Sequence, residues 1–159
     1  MHKAPAAVLS ILGAIIGTPW LHWHELVIRS KGETLTPHLL DWAEEVGITS
    51  PESIRILERD IIPLPAPMFV RNLIQKLGFP AATVGGLCLR HGIYLAKGTR
   101  QRTEVLKHEL IHTRQYQELG GIFPFLTLYL FQSLTVGYIG APLEVEARRD
   151  STTDGSLFS

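Results

Sequence analysis

The motif H-E-L-I-H at residues 108–112 has the residue types and the spacing of a metal-binding site. The surrounding residues 99–120 predict a helix that ends at the Gly120-Gly121 pair. Residues four apart lie on one face of a helix, about one turn from each other, so both imidazoles could reach one ion. The motif therefore predicts a metal site with His108 and His112 as ligands.

Glu109 has a different role in this motif. It is rotated by about 100° around the helix from His108, so it would lie beside the ion without binding it. Its carboxylate could take a proton from a metal-bound water and pass it to a leaving amine. Four apolar neighbours predict a largely buried helix: Val105, Leu106, Leu110 and Ile111. Unpaired polar groups are costly there, and a metal ion with its water would supply their partners.

A catalytic zinc ion needs a third protein ligand and one open position. The chain has a single cysteine, Cys88, which is interpreted as a small buried residue, so the third ligand must be a histidine or a carboxylate. Pro142 can open a second helix that contains Glu144 and Glu146. Residues two apart point in different directions on a helix, so only one of these carboxylates can face the ion.

The combined pattern resembles the gluzincin metallopeptidases, especially the minimal single-domain gluzincins of prokaryotes. The shared features are the H-E-x-x-H helix, a connection of about thirty residues and a second helix with Glu, together covering roughly residues 83 to 150. The second-helix pattern E-x-x-A-D of the membrane-linked CAAX-protease-like branch is matched at residues 144–147, but Arg148 stands where Asp is usual.

This resemblance implies an α+β, zincin-like fold: a small, mostly antiparallel sheet, an active-site helix and a second helix with the third ligand. It implies Zn2+ as the cofactor, bound by His108, His112 and Glu144. Another register, in which Asp150 follows Glu146 by four residues, keeps Glu146 as the alternative third ligand.

A β-hairpin is predicted just before the active-site helix, with Arg90-His91-Gly92 between its two apolar runs. In zincins the strand before this helix is commonly the sheet edge along the cleft, where an extended peptide adds by main-chain hydrogen bonds. The resemblance therefore implies substrate binding by Gly92, Ile93, Tyr94 and Leu95. An ordinary inner strand is the alternative.

Peptide-bond hydrolysis also needs a group that stabilises the oxyanion besides zinc. The candidates are Tyr138, Tyr116, His91, Arg148 and Arg149. Tyr138 is favoured because it lies six residues before Glu144 in a stretch flanked by glycines. We therefore predict a zinc-dependent metallopeptidase that acts on a peptide or protein substrate. The alternative is a catalytically silent, zincin-like zinc-binding domain that serves as a peptide or protein interaction module.

Charge distribution bears on the partners. The 159 residues contain 15 Lys and Arg against 15 Asp and Glu, without a basic cluster, which argues against a dedicated nucleic-acid binder. Residues 4–24 and residues 119–143 contain no charged side chain. The second window cannot be one membrane crossing if both of its ends supply ligands to one ion, because a crossing separates its ends by about 30 Å. We expect a buried or interfacial helix over residues 123–136 instead.

The domain prediction has three parts. Residues 1–24 are expected to form an apolar packed or interfacial helix, with a membrane anchor and a cleaved signal as the alternatives. Residues 25–150 form the single zincin-like domain, and residues 151–159 a flexible tail. This pattern is compatible with association with a membrane surface. The single cysteine is compatible with a reducing compartment, and the sequence does not determine the oligomeric state. The other predicted elements are a helix from Pro37 to Gly47, a strand over 54–60 and a helix over 69–77.

Overall fold

The structure, a computed structural model, describes residues 3–63, 85–99 and 101–152. These residues form an α+β fold, so the predicted class is confirmed. Its elements are α1 (Lys3–Lys31), β1 (Glu33–Thr34), α2 (Pro37–Glu45), a 3-10 turn (Pro51–Ser53), β2 (Arg55–Arg59), β3 (Gly86–Leu89), β4 (Gly92–Ala96), α3 (Arg102–Glu118), α4 (Ile122–Val136) and α5 (Pro142–Asp150). The helix predicted over 69–77 and the tail beyond residue 152 lie outside the described residues.

Local signals set the ends of several helices. Pro37 and Pro142 stand in the first turns of α2 and α5, where a missing backbone N–H costs nothing. α3 ends just before Gly120 and Gly121, whose φ angles of 85° and 123° lie in the region that glycine adopts most easily. The glycine pair therefore stops the helix that contains the H-E-x-x-H motif.

The strand order β1-β2-β4-β3 makes a mixed sheet. β1 and β3 run antiparallel to their neighbours, but the central β2–β4 pair is parallel, with Leu57 opposite Tyr94. The expectation of a mostly antiparallel sheet thus misses the parallel centre. A parallel pair needs a long crossover, which the chain between Arg59 and Gly92 supplies.

The prediction that the second hairpin strand is a sheet edge is wrong. β4 lies between β2 and β3, so its backbone groups are paired on both sides. Its residues Gly92, Ile93, Tyr94 and Leu95 are buried. The Tyr94 hydroxyl lies 2.8 Å from His24 Nδ1 on α1, and these residues therefore form the core between helix and sheet. Of the described strands, β1 and β3 are paired on one side only, and β3 is the one that packs against α3.

Two partners pack against α1 along its length. Its C-terminal half lies on the sheet, where Ile28 fills the space beside Gly92. Its N-terminal half packs against α4, with Gly13 beside Leu130. The helix is continuous through residues 24 and 25, so the predicted domain boundary falls inside it.

One described helix, α1, is long and apolar enough to cross a membrane. α3 and α4 pass that test only as a pair bent by 114°. α4 covers 15 residues, and α5 then returns to contact α3, so residues 119–143 do not form a single crossing.

Candidate metal centre

The structure brings His108 and His112 of α3 together with Glu144 of α5. One ligand atom from each residue lies within 4.8 Å of the others. Glu144 Oε2 is 3.5 Å from His108 Nε2, and Glu144 Oε1 is 3.3 Å from His112 Nε2. Two ligands of a tetrahedral ion with bonds of about 2.0–2.1 Å lie about 3.3–3.4 Å apart. This group could therefore hold a metal ion.

Gln115 orients one of the two histidines, and this role was not predicted from the sequence. Its Nε2 donates to the Leu143 carbonyl and to Glu146 Oε2, both at 2.9 Å, so its Oε1 faces His112 Nδ1 at 2.8 Å. The Nδ1–H of His112 donates to that oxygen, so its Nε2 faces the Glu144 carboxylate. A proton on Nε2 or a metal ion would join these two groups, so the 3.3 Å contact suits a metal ligand pair and also a hydrogen-bonded ion pair.

Contacts between Glu144 and the two histidines set the charges of the centre. Burial opposes ionisation of Glu144, but hydrogen bonds from His108 and His112 hold the pKa of this carboxyl well below its usual range. Burial alone would lower the pKa of His112, whereas its contact with Glu144 raises it above the ordinary value. The centre therefore contains an anionic carboxylate that stabilises positive charge beside the two imidazoles.

Glu109 lies between the centre and the edge strand β3. Its side chain is buried, and burial raises the pKa of its carboxyl. The Cys88 backbone N–H donates to that carboxylate, and the Tyr116 hydroxyl lies 3.4 Å from the Cys88 carbonyl oxygen. Cys88 is buried, as expected, and burial raises the pKa of its thiol. The outward backbone groups of β3 at Cys88 are thus paired with α3.

Gly86 of β3 sets the position of the Glu109 side chain. A Cβ atom at Gly86 would lie 2.7 Å from Glu109 Cγ and 2.8 Å from its Oε1. Any larger residue there must displace the carboxylate, because neither contact is tolerated at these distances.

Gly86→Ala should therefore lower any Glu109-dependent hydrolysis by about a hundredfold, since a displacement of about 1 Å in a catalytic group has that effect. Its metal content should stay at the wild-type level, because Glu109 is not among the ligands. Gly85→Ala is the matched control, since its Cβ would meet Val105 at an ordinary 3.5 Å. Equal activity of the two variants would show that Gly86 does not position Glu109.

Glu146, the alternative third ligand, binds elsewhere. Its Oε1 accepts from Arg114 Nη2 at 2.8 Å, and Arg114 also contacts Asp150 at 2.6 Å. Arg114 is buried, so these charges join α3 to α5 within the protein. Glu146 and Asp150 thus belong to an ion-pair network with Arg114 and not to the group of candidate metal ligands. Where the CAAX-like pattern has Asp, Arg148 Nη1 lies 3.4 Å from Glu144 Oε2.

Two tyrosines contact the Glu144 carboxylate. Tyr138, the favoured oxyanion candidate, hydrogen-bonds Glu144, and burial raises the pKa of its phenol. Tyr129 of α4 donates to Glu144 Oε1 at 2.8 Å and was not predicted. Tyr129 is a lone tyrosine in a charge-free helix, and a buried tyrosine hydroxyl needs a hydrogen-bond partner. This need was the feature of the sequence that could have indicated a polar contact for Tyr129.

The other oxyanion candidates have different surroundings. Tyr116 is buried against Cys88, and His91 Nδ1 lies 3.3 Å from Glu25 Oε1 of α1. Arg149 contacts Asp150 at 2.7 Å. Of the candidates, Tyr138 and Arg148 are the two that contact the Glu144 side chain.

The fold and the site together define an α+β protein with a candidate His/His/Glu metal centre. Comparison with known proteins found no matching family model, no matching curated protein and no matching solved structure. Functional inference therefore depends on the site itself.

Proposed function

We propose that this protein is a zinc-dependent metallopeptidase. The observation that supports the proposal most directly is the buried group of His108, His112 and Glu144, with Glu109 adjacent to it on the same helix. Two imidazoles and one carboxylate are a ligand set of catalytic zinc sites, which keep a fourth position open.

Each residue has a defined role in the proposal. Zinc, when bound, would polarise the peptide carbonyl and lower the pKa of a water ligand. Glu109 accepts the proton that leaves the attacking water and passes it to the nitrogen of the leaving amine. Gln115 holds the His112 ring so that its Nε2 faces the centre. Tyr138 is the nearby phenol that would donate to the oxyanion.

A catalytically silent zinc-binding module is the second candidate, and one observation favours it. The strand expected to bind substrate is an inner strand, and β3 already pairs its outward groups at Cys88 with Glu109 and Tyr116. A peptide that added to β3 would therefore find the main-chain groups of Cys88 already paired. In this case the metal would serve folding and recognition.

Metal removal separates these candidates. We expect about one zinc ion per chain by mass spectrometry. A chelator should lower the melting temperature of the protein and should abolish its hydrolysis of an unfolded protein used as the substrate. Stability should fall because a ligand at about a hundred times its Kd stabilises the folded state by about 2.7 kcal/mol. Zn2+ should restore both properties, whereas Mg2+, which prefers oxygen ligands, should restore neither.

The outcomes are distinct. A chain without stoichiometric zinc would overturn both candidates. Zinc whose removal lowers stability, in a protein that cleaves no peptide, would establish the binding module instead of the peptidase.

A further inference from the structure

The N-terminal part of α1 has an inverted arrangement of large and small side chains. Its buried residues here are small, namely Ala6, Ser10 and Ala14. Its exposed residues are large and apolar: Val8, Leu9, Ile11, Leu12, Ile15 and Ile16. A helix on the surface of a water-soluble protein buries its large apolar side chains and exposes polar ones. The solvent that suits the exposed face of α1 is therefore apolar.

Close packing between α1 and α4 agrees with this reading. A Cβ atom on Gly13 would lie 2.8 Å from Leu130 Cδ1, and one on Gly17 would lie 2.8 Å from Leu126 Cδ2. Small residues spaced by four that admit a neighbouring helix are typical of helix pairs in membranes, where burial of large side chains gains little over lipid. An apolar groove between the two helices, lined by Ile11, Leu128 and other side chains, continues the surface.

Three hydroxyl groups on these helices are satisfied within their own helix. The hydroxyls of Ser10, Thr127 and Thr135 each donate to a carbonyl of their own helix at 2.8 Å. Such bonds satisfy hydroxyl groups without water, whereas the buried hydroxyls of Thr18 and Ser133 on the same helices have no hydrogen-bond partner among the described residues.

The composition of the exposed surface of α1 favours a bilayer over a second copy of the chain. Residues 4–24 contain no charged side chain, and the first sixteen of them, about 24 Å as a helix, lie before the part of α1 that contacts Tyr94 of the sheet through His24. Charged residues resume at Lys3 and Glu25 on either side. Trp23, 66% exposed, lies at the second boundary, where membrane proteins place tryptophan. A protein interface has a polar rim, which the exposed face of residues 8–16 lacks.

We propose that the part of α1 that packs against α4, residues 4–19, inserts into a lipid bilayer together with α4. α4 lies between α1 and the candidate metal centre, because its Leu126 and Leu130 face α1. On its other side, the ring centroids of Phe125 and Tyr129 lie 6.0 and 6.2 Å from that of His112. Insertion would place that centre at the membrane. The inference rests on the outer surface of α1 and α4 and does not depend on metal binding or hydrolysis.

The test is flotation of the purified full-length protein with phosphatidylcholine vesicles, washed with high salt and with alkaline carbonate. Ile16→Asp puts a charge within the segment, at a side chain that is 77% exposed. Ile61→Asp is the matched control, because Ile61 is 78% exposed and lies next to β2, outside the proposed segment. On insertion scales, an acidic residue in mid-membrane lowers partitioning roughly a hundredfold.

We expect the wild type and Ile61→Asp to float after both washes, and Ile16→Asp to remain at the bottom with an unchanged helical circular dichroism spectrum. Quenching of tryptophan fluorescence by brominated acyl chains in the wild type, reduced in Trp23→Phe, would support insertion without any change in α1 charge. A wild type that stays in solution without lipid or detergent, as a monomer or a stable dimer, would overturn the proposal. Equal flotation of the two Asp variants would overturn it as well.

Discussion

Glu109→Gln is expected to lower peptide hydrolysis by about 10²–10⁴-fold, the usual contribution of a general acid–base group. The amide has nearly the same shape as the carboxylate and can still accept the hydrogen bond from the Cys88 N–H. It cannot take a proton from the attacking water. The zinc content should stay at the wild-type level, because Glu109 is not among the three grouped ligands. Steady-state cleavage and metal analysis on one preparation measure both quantities.

Glu104→Gln is the matched control for this variant. Glu104 lies in the first turn of α3 and is exposed. Its replacement by Gln therefore removes the same charge from the same helix, away from the centre. We expect its activity to match the wild type. Full activity in Glu109→Gln would refute the acid–base role, and loss of zinc in that variant would show that Glu109 binds the metal.

Glu144→Gln is expected to weaken zinc binding by more than about a hundredfold. Loss of a residue that only orients a ligand costs about 10–100-fold in metal affinity, and loss of the ligand itself should cost more. The variant also removes the buried negative charge that faces His108 and His112. Competition with a chelating dye measures the affinity directly, and hydrolysis should fall with it.

Glu146→Gln on the same helix separates the two assignments of the third ligand. Glu146 contacts Arg114 and Gln115, so it reaches the centre only through Gln115. Its zinc affinity should stay within about tenfold of the wild type. Retained zinc in Glu144→Gln together with loss in Glu146→Gln would reverse the assignment and would mean that α5 is rotated relative to α3.

Patterns over short stretches of sequence predicted the elements that hold the site. Residues four apart share a helix face whatever the rest of the fold does, so the pairing of His108 with His112 followed from the spacing of the motif. The glycine pair after α3 and Pro142 at the start of α5 act within one turn of the chain, and the structure confirms both boundaries. The choice between Glu144 and Glu146 depended on a resemblance, because helix spacing shows only that they point apart.

Long-range contacts decided what the local patterns could not. β4 becomes an inner strand because β2, more than thirty residues earlier in the chain, pairs with it in parallel. Gln115 and Tyr129 contact the candidate ligands because α5 and α4 pack against α3. Neither contact produces a periodic pattern in the sequence from which it could be predicted. Spacing along one helix specified the two histidines. The packing of three helices specified the third candidate ligand and its hydrogen-bond partners, because these contacts join residues distant in the chain.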